Sequence, residues 1–421
     1  MHMRHFFLSL SLTLTPAPTL GAADWPQWRG PGRDGRATGA RLPEKWPARA
    51  PQRAWKATVG EGYSGAAVAG GKVFALARDD AKGVETASCF DLANGKRLWE
   101  FSYAAPFKAP DPTAGRGPNA TPTADGDRVY FFGLAGMLNC AEIATGKVLW
   151  KHDCLKEYWG AAKTADGDDP WFPPCGASAS PLVDGNTIIV PIGGKKAGAV
   201  TGFDRATGKL LWQQLDDRSS YASPSIASPG GVKQIVAFTG TRVVGLRHSD
   251  RELLWEQPFK ARYEQTIISP VVWKDRVVVG GEMRPTVAYT FTRDGDSVKK
   301  EEAWKSDDLK MYTVTPVVAG EHLIGFDHRT GKLACVALDT GELAWTSPAL
   351  GTKHLSLVVA GTTLLVLTLE GDLIAARVSN TEYEQLAKWK VSERGTWAHL
   401  AVAGNRLLVK GPEELLCYEL K

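Results

Sequence analysis

The chain has 421 residues, about twice the usual domain length, with 43% apolar residues, 44 glycines and 25 prolines. Lys and Arg number 50 against 46 Asp and Glu, and so small a surplus, spread along the chain, excludes the basic stripe that nucleic-acid binding needs. Turn-rich composition with ample core material leaves several domains or one closed array of repeats, all-β and loop-rich.

The first residues, "MHMRHFFLSLSLTLTPAPTLGAA", pass from Arg4 through an apolar run (Phe6 to Leu14) to small residues at Gly21 to Ala23. This order predicts a signal peptide over residues 1–23, cleaved near Ala22 or Ala23. The run is far short of the ~20 residues of a membrane helix, and no later stretch is long enough to span. No cysteine follows to carry a lipid, so a soluble exported protein, periplasmic or extracellular, is expected. Residues 24–52 form an arm opening with "DWPQWRGPGRDG". Trp25 and Trp28 are expected to pack on the protein surface with Arg29 and Arg33 beside them; the alternative is a partner-docking arm.

From residue 53 to 421 one pattern recurs. "CFDLANGKRLW" (89–99) returns as "CAEIATGKVLW" (140–150), "GFDRATGKLLW" (202–212), "GLRHSDRELLW" (245–255) and "CVALDTGELAW" (335–345), with looser copies ending at Trp304 and Trp389. Trp55 precedes the first copy, and the eight tryptophans Trp55, Trp99, Trp150, Trp212, Trp255, Trp304, Trp345 and Trp389 follow at 44, 51, 62, 43, 49, 41 and 44 residues. A period near ~45 residues is that of a four-stranded propeller blade. Within it, short apolar runs bounded by Gly, Asp and Asn read as hairpins, and "ANGK", "ATGK" and "DTGE" supply the turn before each tryptophan strand. The last unit has three strands and "RAWKATVG" is a strand without a blade. Joining them predicts a single all-β, eight-bladed propeller of four-stranded blades, its ring closed by the N-terminal strand pairing with the C-terminal blade. The eight tryptophans pack blade on blade, and a monomer is expected.

These motifs resemble the exported eight-bladed propellers built from pyrroloquinoline-quinone (PQQ)-type repeats, in the quinoprotein alcohol dehydrogenase-like superfamily. "DWPQWRGPGRDG", "VGEGYSGAAVAGGKVF" and "GRGPNATPTADGDRVY" are similar to a bacterial subgroup of that kind. The resemblance implies one of two roles: a quinone-dependent dehydrogenase holding PQQ between a tryptophan and adjacent disulfide-linked cysteines with calcium and an aspartate, or a scaffold like the outer-membrane assembly propeller lipoprotein, to which the likeness is distant. The chain has no adjacent cysteine pair and no Cys-x-x-Cys-His haem site, so PQQ and calcium lack their usual motif.

Cys89, Cys140 and Cys335 fall ten positions before a tryptophan and Cys417 at the matching place, where two other blades have Gly202 and Gly245. Interchange with glycine marks a small packing position, expected against the next blade. Cys154 and Cys175 flank the insertion that stretches one period to 62 residues. They are expected to form a disulfide, worth ~3 kcal/mol for a loop of this span; two thiols are the alternative. Asp166, Asp168 and Asp169 in the same insertion lack a calcium loop's ligand set and read as a solvated acidic turn. The histidines show no metal spacing, and no nucleophile elbow or phosphate loop appears.

Five loops leading into innermost strands carry Ser-Pro or Thr-Pro, and the residues just ahead of the strands face the channel. These are Tyr63, Asn119, Ser178, Tyr221, Thr266, Tyr312, His354 and Trp397, flanked by Arg116, Gln265, Lys353 and His399. A ring of aromatic and hydrogen-bonding groups suits a small polar molecule, a glycan or a protein partner; the other reading is that they fill the channel. With no catalytic or metal residue assigned, the favoured function is a non-catalytic binding propeller. A PQQ-dependent oxidoreductase with an altered site and a cell-envelope assembly scaffold are the alternatives.

Overall fold

A computed structural model of the protein describes residues 24–107, 117–158, 175–193, 198–262 and 265–420. The expected signal peptide, Arg116 and the acidic turn at Asp166, Asp168 and Asp169 lie outside these residues.

Alternating apolar runs fold into meanders. In the first blade Ala67–Ala69, Lys72–Asp79, Val84–Asp91 and Arg97–Ala104 form one four-stranded antiparallel sheet, and seven more sheets repeat that order. The innermost strands of blades 2 to 8 are Thr123–Asp125, Leu182–Asp184, Ser225–Ala227, Val271–Trp273, Val317–Ala319, Leu355–Ala360 and Ala401–Ala403. The outer strand of blade 8 is Gln52–Thr58, paired antiparallel with Glu414–Glu419 so that Trp55 opposes Cys417. The N-terminal strand therefore closes the ring, leaving no long open edge. Apolar clusters lie between neighbouring blades, as where Phe74, Leu76, Cys89 and Trp99 of blade 1 meet Val129 and Phe131 of blade 2. Each large side chain so buried contributes about 2 kcal/mol.

Each small residue ten before a tryptophan is that tryptophan's cross-strand partner. Cys89 pairs with Trp99, Cys140 with Trp150, Gly202 with Trp212, Gly245 with Trp255 and Cys335 with Trp345. The position selects small volume, as expected: Cys89, Cys140 and Cys335 lie in the seam with the next blade and also face the tryptophan of their own blade. Burial pushes the Cys89 thiol up to about 12, which removes thiolate chemistry. After each pair the register slips by one residue, a bulge that turns Leu98, Leu149 and Leu211 outward.

The indole then reaches the next blade. Trp55 donates its Nε1–H to Leu92 O, Trp99 to Ile143 O, Trp150 to Arg205 O and Trp304 to Leu338 O. Their rings lie on Gly95, Gly146, Gly208 and Gly341, all at φ near +75° in the tight turn before the tryptophan strand. A Cβ there would sit within 2.6 to 2.7 Å of the ring, so glycine is required by both conformation and contact.

Cys154 and Cys175 are not joined by a disulfide, which corrects the sequence expectation. Cys154 is fully buried with Tyr130, Cys140 and Phe203 between blades 2 and 3. Cys175, at the other end of the insertion, faces the channel mouth, where its N–H donates to Tyr221 Oη at 3.1 Å. One cysteine therefore lies in the seam between blades 2 and 3 and the other at the channel mouth.

Candidate functional site

The inner ring is built by the Ser-Pro and Thr-Pro dipeptides. Proline occupies the strand's start, where no ladder N–H is needed. The hydroxyl before it bonds sideways: Thr121 N–H donates to Ser180 Oγ, Ser180 N–H to Ser223 Oγ, Ser223 N–H to Ser269 Oγ and Ser269 N–H to Thr315 Oγ1, at 2.9 to 3.2 Å. This stitching fixes the loops just ahead of the strands, which carry the mouth residues.

The channel is filled by the arm, not left as a bore. Trp25 pairs with Val68 of blade 1 through two backbone hydrogen bonds of 2.8 and 2.9 Å; Pro26 O accepts from Ala124 N of blade 2; Gly35 and Ala37 bond to Val359 of blade 7. Arg29 donates to Thr315 O and Pro316 O on blade 6, and Arg33 to Ser180 O and Pro181 O on blade 3. The arm thus occupies the channel, where surface packing was expected of Trp25 and Trp28. Innermost strands expose an unpaired edge to the channel, and the arm's backbone and guanidiniums satisfy groups on it. Gly30 (φ +81°) and Gly35 (φ +77°) let the arm turn; a Cβ on Gly30 would meet the Trp25 ring at 2.7 Å.

Above this plug lies a cavity of about 300 Å³. Nine of the twelve sequence-predicted mouth residues line it: Tyr63, Asn119, Ser178, Tyr221, Gln265, Tyr312, His354, Trp397 and His399. Thr266 is buried behind the wall, bonded to Ser220 Oγ and Thr239 O, and exposed Lys353 lies outside the lining. Trp28, from the arm, forms part of the lining and is 8% exposed. Repeat alignment missed it because the arm has no repeat; the signal available was the paired glycines of "RGPGRDG", which fit a backbone bent into close contact.

The lining is preorganised. Asn119 donates to Ser178 Oγ at 2.8 Å, and Tyr312 Oη to Gln265 Oε1 at 2.8 Å. Trp397 lies 6.0 Å from Tyr63 and stacks on His354 at 4.6 Å. His354 is bonded at both nitrogens, Nδ1 to Thr313 Oγ1 and Nε2 to Trp397 O; the carbonyl accepts, so Nε2 carries the proton and Nδ1 accepts from the hydroxyl. Burial lowers its pKa to about 4. His399 meets Trp28 edge-on at 5.8 Å, and burial, then His354 and Arg29, lower it to about 3. Both imidazoles are neutral at physiological pH. Lys410, pressed between blades 8 and 1, donates to the carbonyls of Gly60, Gly62 and Gly411 and so holds the loop bearing Tyr63. Burial lowers it to about 7 against the pull of Glu61.

Among the described residues no Asp, Glu, Lys or Arg lines the cavity, and no group of three His, Cys, Asp or Glu is placed to hold a metal. A calcium ion requires oxygen ligands of the carboxylate kind, and a single cysteine, Cys175, faces the mouth. The donor set of the described lining does not fit a PQQ and calcium pair. It fits an organic ligand held by ring stacking and neutral hydrogen bonds.

Comparison with known proteins gives a consistent picture. The sequence profile described as outer membrane protein assembly factor BamB matches residues 83–347. BamB of Legionella pneumophila is 26% identical over 212 residues, 48% of this chain and 51% of that protein, so the chain spans about half the length of this curated relative. In the crystal structure of BamB from Moraxella catarrhalis the fold recurs with a TM-score of 0.61 at 16% identity, over 89% of this chain and 98% of that one. Quinohemoprotein alcohol dehydrogenase from Comamonas testosteroni shares the fold at a TM-score of 0.56 and 12% identity, over 94% and 80% of the two chains. Among the described residues no helix is long and apolar enough to cross a membrane.

Proposed function

The chain belongs to the family of the outer membrane protein assembly factor BamB, and from that premise we propose that it is a non-catalytic binding scaffold of the cell envelope whose channel mouth receives a protein partner or a small polar ligand. One observation carries this reading: the arm closes the channel beneath Trp28, making the mouth a blind, aromatic-lined pocket with neither a charged residue nor a metal cluster in its described lining. A blind pocket of preorganised rings and hydroxyls suits recognition, since rigid groups lose little freedom on binding. Its one described hydroxyl in contact with an imidazole, Thr313 on His354 Nδ1, faces a ring that burial lowers to about 4, a weak base for the activation that covalent catalysis needs.

The test is photo-crosslinking in the envelope of the native host. A photoreactive residue at Trp397, on the mouth, is expected to give defined adducts with envelope proteins or their ligands; the same residue at Leu211, on the outer rim, is not. Adducts of equal yield and identity from both positions would sink the mouth as the docking site.

A further inference from the structure

The plug beneath the mouth is charged: Asp34 offsets part of the Arg29 charge at a distance, and neither Arg29 nor Arg33 forms a direct ion pair among the described residues. Arg29 and Arg33 are 4% and 8% exposed. Neither has an Asp or Glu oxygen within 4 Å among the described residues; their hydrogen bonds go to the carbonyls of Thr315, Pro316, Ser180, Pro181 and Asp34 and to the Gln27 side chain. The Nε of each is buried with no acceptor. Desolvation lowers Arg29 to about 10 and Arg33 to about 9, so both stay cationic at neutral pH. Carbonyl dipoles offset part of the cost of burying two such charges, but a buried cation ordinarily has an anion beside it.

Both charges sit against the floor of the cavity. The guanidinium carbons lie 5.4 and 5.6 Å from the centroid of the Trp28 ring, and Trp28 lines the cavity. With no carboxylate among the described lining residues to cancel it, the positive potential extends into the mouth through a medium of low dielectric constant. His399, beside Trp28 in the wall, has no hydrogen-bond partner for its ring among the described residues, and as a neutral imidazole it keeps one N–H to donate. Beside hydroxyl and amide groups of the lining, Trp397 and Tyr63 supply aromatic surface on the rim.

From this arrangement we infer that the mouth selects a carboxylate carried on an apolar group, its anionic head directed toward His399 and the Arg29 and Arg33 charges behind Trp28, its apolar part against Trp397 and Tyr63. The inference deepens the proposed docking function and rests on it. Two sources share this chemistry, a free organic acid and the terminal carboxyl of a polypeptide with an apolar last residue.

The experiment measures binding to the full chain by calorimetry and tryptophan fluorescence. The probes are phenylacetate against phenylacetamide, and the peptide Gly-Gly-Phe with a free terminus against the same peptide as its terminal amide. Each acid is expected to bind at least about tenfold more tightly than its amide, a difference of about 1.4 kcal/mol. Tighter binding of the peptide acid than of phenylacetate assigns the site to polypeptide termini; the reverse order assigns it to free acids. Arg33→Gln is expected to abolish the acid preference and Arg33→Lys to keep it. Because Arg33 also anchors the arm, His399→Phe serves as the second variant, lowering acid affinity while leaving amide affinity unchanged. Equal binding of acid and amide, or no acid binding at about 10 mM, overturns the carboxylate assignment without touching the docking mouth. Acid binding that Trp397→Ala leaves unaltered overturns both.

Discussion

Around the rim of the ring, blades meet at four seams through indole rings laid on glycine turns, an apolar contact with one N–H to carbonyl bond at each of the four. Along the channel they meet through Arg29 and Arg33, which bond to carbonyls of opposite blades, with His354 and His399 above them. The rim is held by shape, so its tolerance is set by volume. The channel is held by buried polar groups, so its tolerance is set by charge and pH. A second contrast lies within the rim. Trp212 and Trp255 donate to no carbonyl of the next blade's turn; their rings lie over Gly202 and Gly245 of the neighbouring strand in their own blade, where a Cβ would meet the ring at 2.2 and 2.1 Å, although Trp255 still packs on Phe291 of blade 5.

The largest effect is expected at a regular seam. Gly146→Ala forces a side chain into φ +75° and puts its Cβ 2.6 Å from the Trp99 ring. Left-handed strain and overpacking together should cost about 3 kcal/mol or more, read as a lowered denaturant midpoint at unchanged slope. An equal cost at Gly320→Ala, where φ is +64° and nothing lies within 4 Å, would show that conformation alone matters and erase the role of the indole.

The channel should respond next, to protons. His354 is held at about 4 by burial, below its unfolded value near 6.5. The folded form stays neutral while the unfolded chain takes up the proton, so stability present above pH 6.5 is lost as pH falls toward 4, at up to about 1.4 kcal/mol per pH unit. Lys410, held at about 7, has the same sign on the other side: the folded form releases its proton first, so stability rises from pH 7 toward 10.5. Melting across these windows, compared with His354→Gln and Lys410→Met, should show each variant flattening only its own arm. Unchanged slopes would mean that His354 and Lys410 do not carry the pH response.

How much of this was readable in the sequence divides along the same line. Blade number, closure by Trp55 and the location of nine mouth residues followed from the period, because a repeat fixes each residue's offset from its strand and the strand fixes its direction. The plug was not readable, because residues 24–37 belong to no repeat and their partners on blades 1, 2, 3, 6 and 7 are far along the chain. Sequence separation alone likewise suggested a Cys154 to Cys175 disulfide, whereas burial of Cys154 in the seam and exposure of Cys175 to the mouth keep them apart. The interchange of cysteine and glycine was visible as a demand for small size, yet which tryptophan imposed it depended on the next blade's turn.

That dependence gives the smallest and most specific prediction. In the turn of blade 4 the position held elsewhere by Gly95, Gly146, Gly208 and Gly341 is Arg251, with the same backbone bond back four residues and a φ of +72°. Its guanidinium lies 5.1 Å from the Trp212 ring, and the Trp212 indole nitrogen has no acceptor. A side chain on the turn denies Trp212 its usual seat, and the ring retreats over Gly202, which must then be glycine. Gly202→Cys alone should destabilise by about 2 kcal/mol through overpacking. Arg251→Gly removes the obstruction and the left-handed strain, so in that background the ring can swing outward and Gly202→Cys should cost less than about 1 kcal/mol. The two substitutions are coupled only if the turn of one blade dictates the small residue of the blade before it, and strictly additive costs in the double-mutant cycle would break that link.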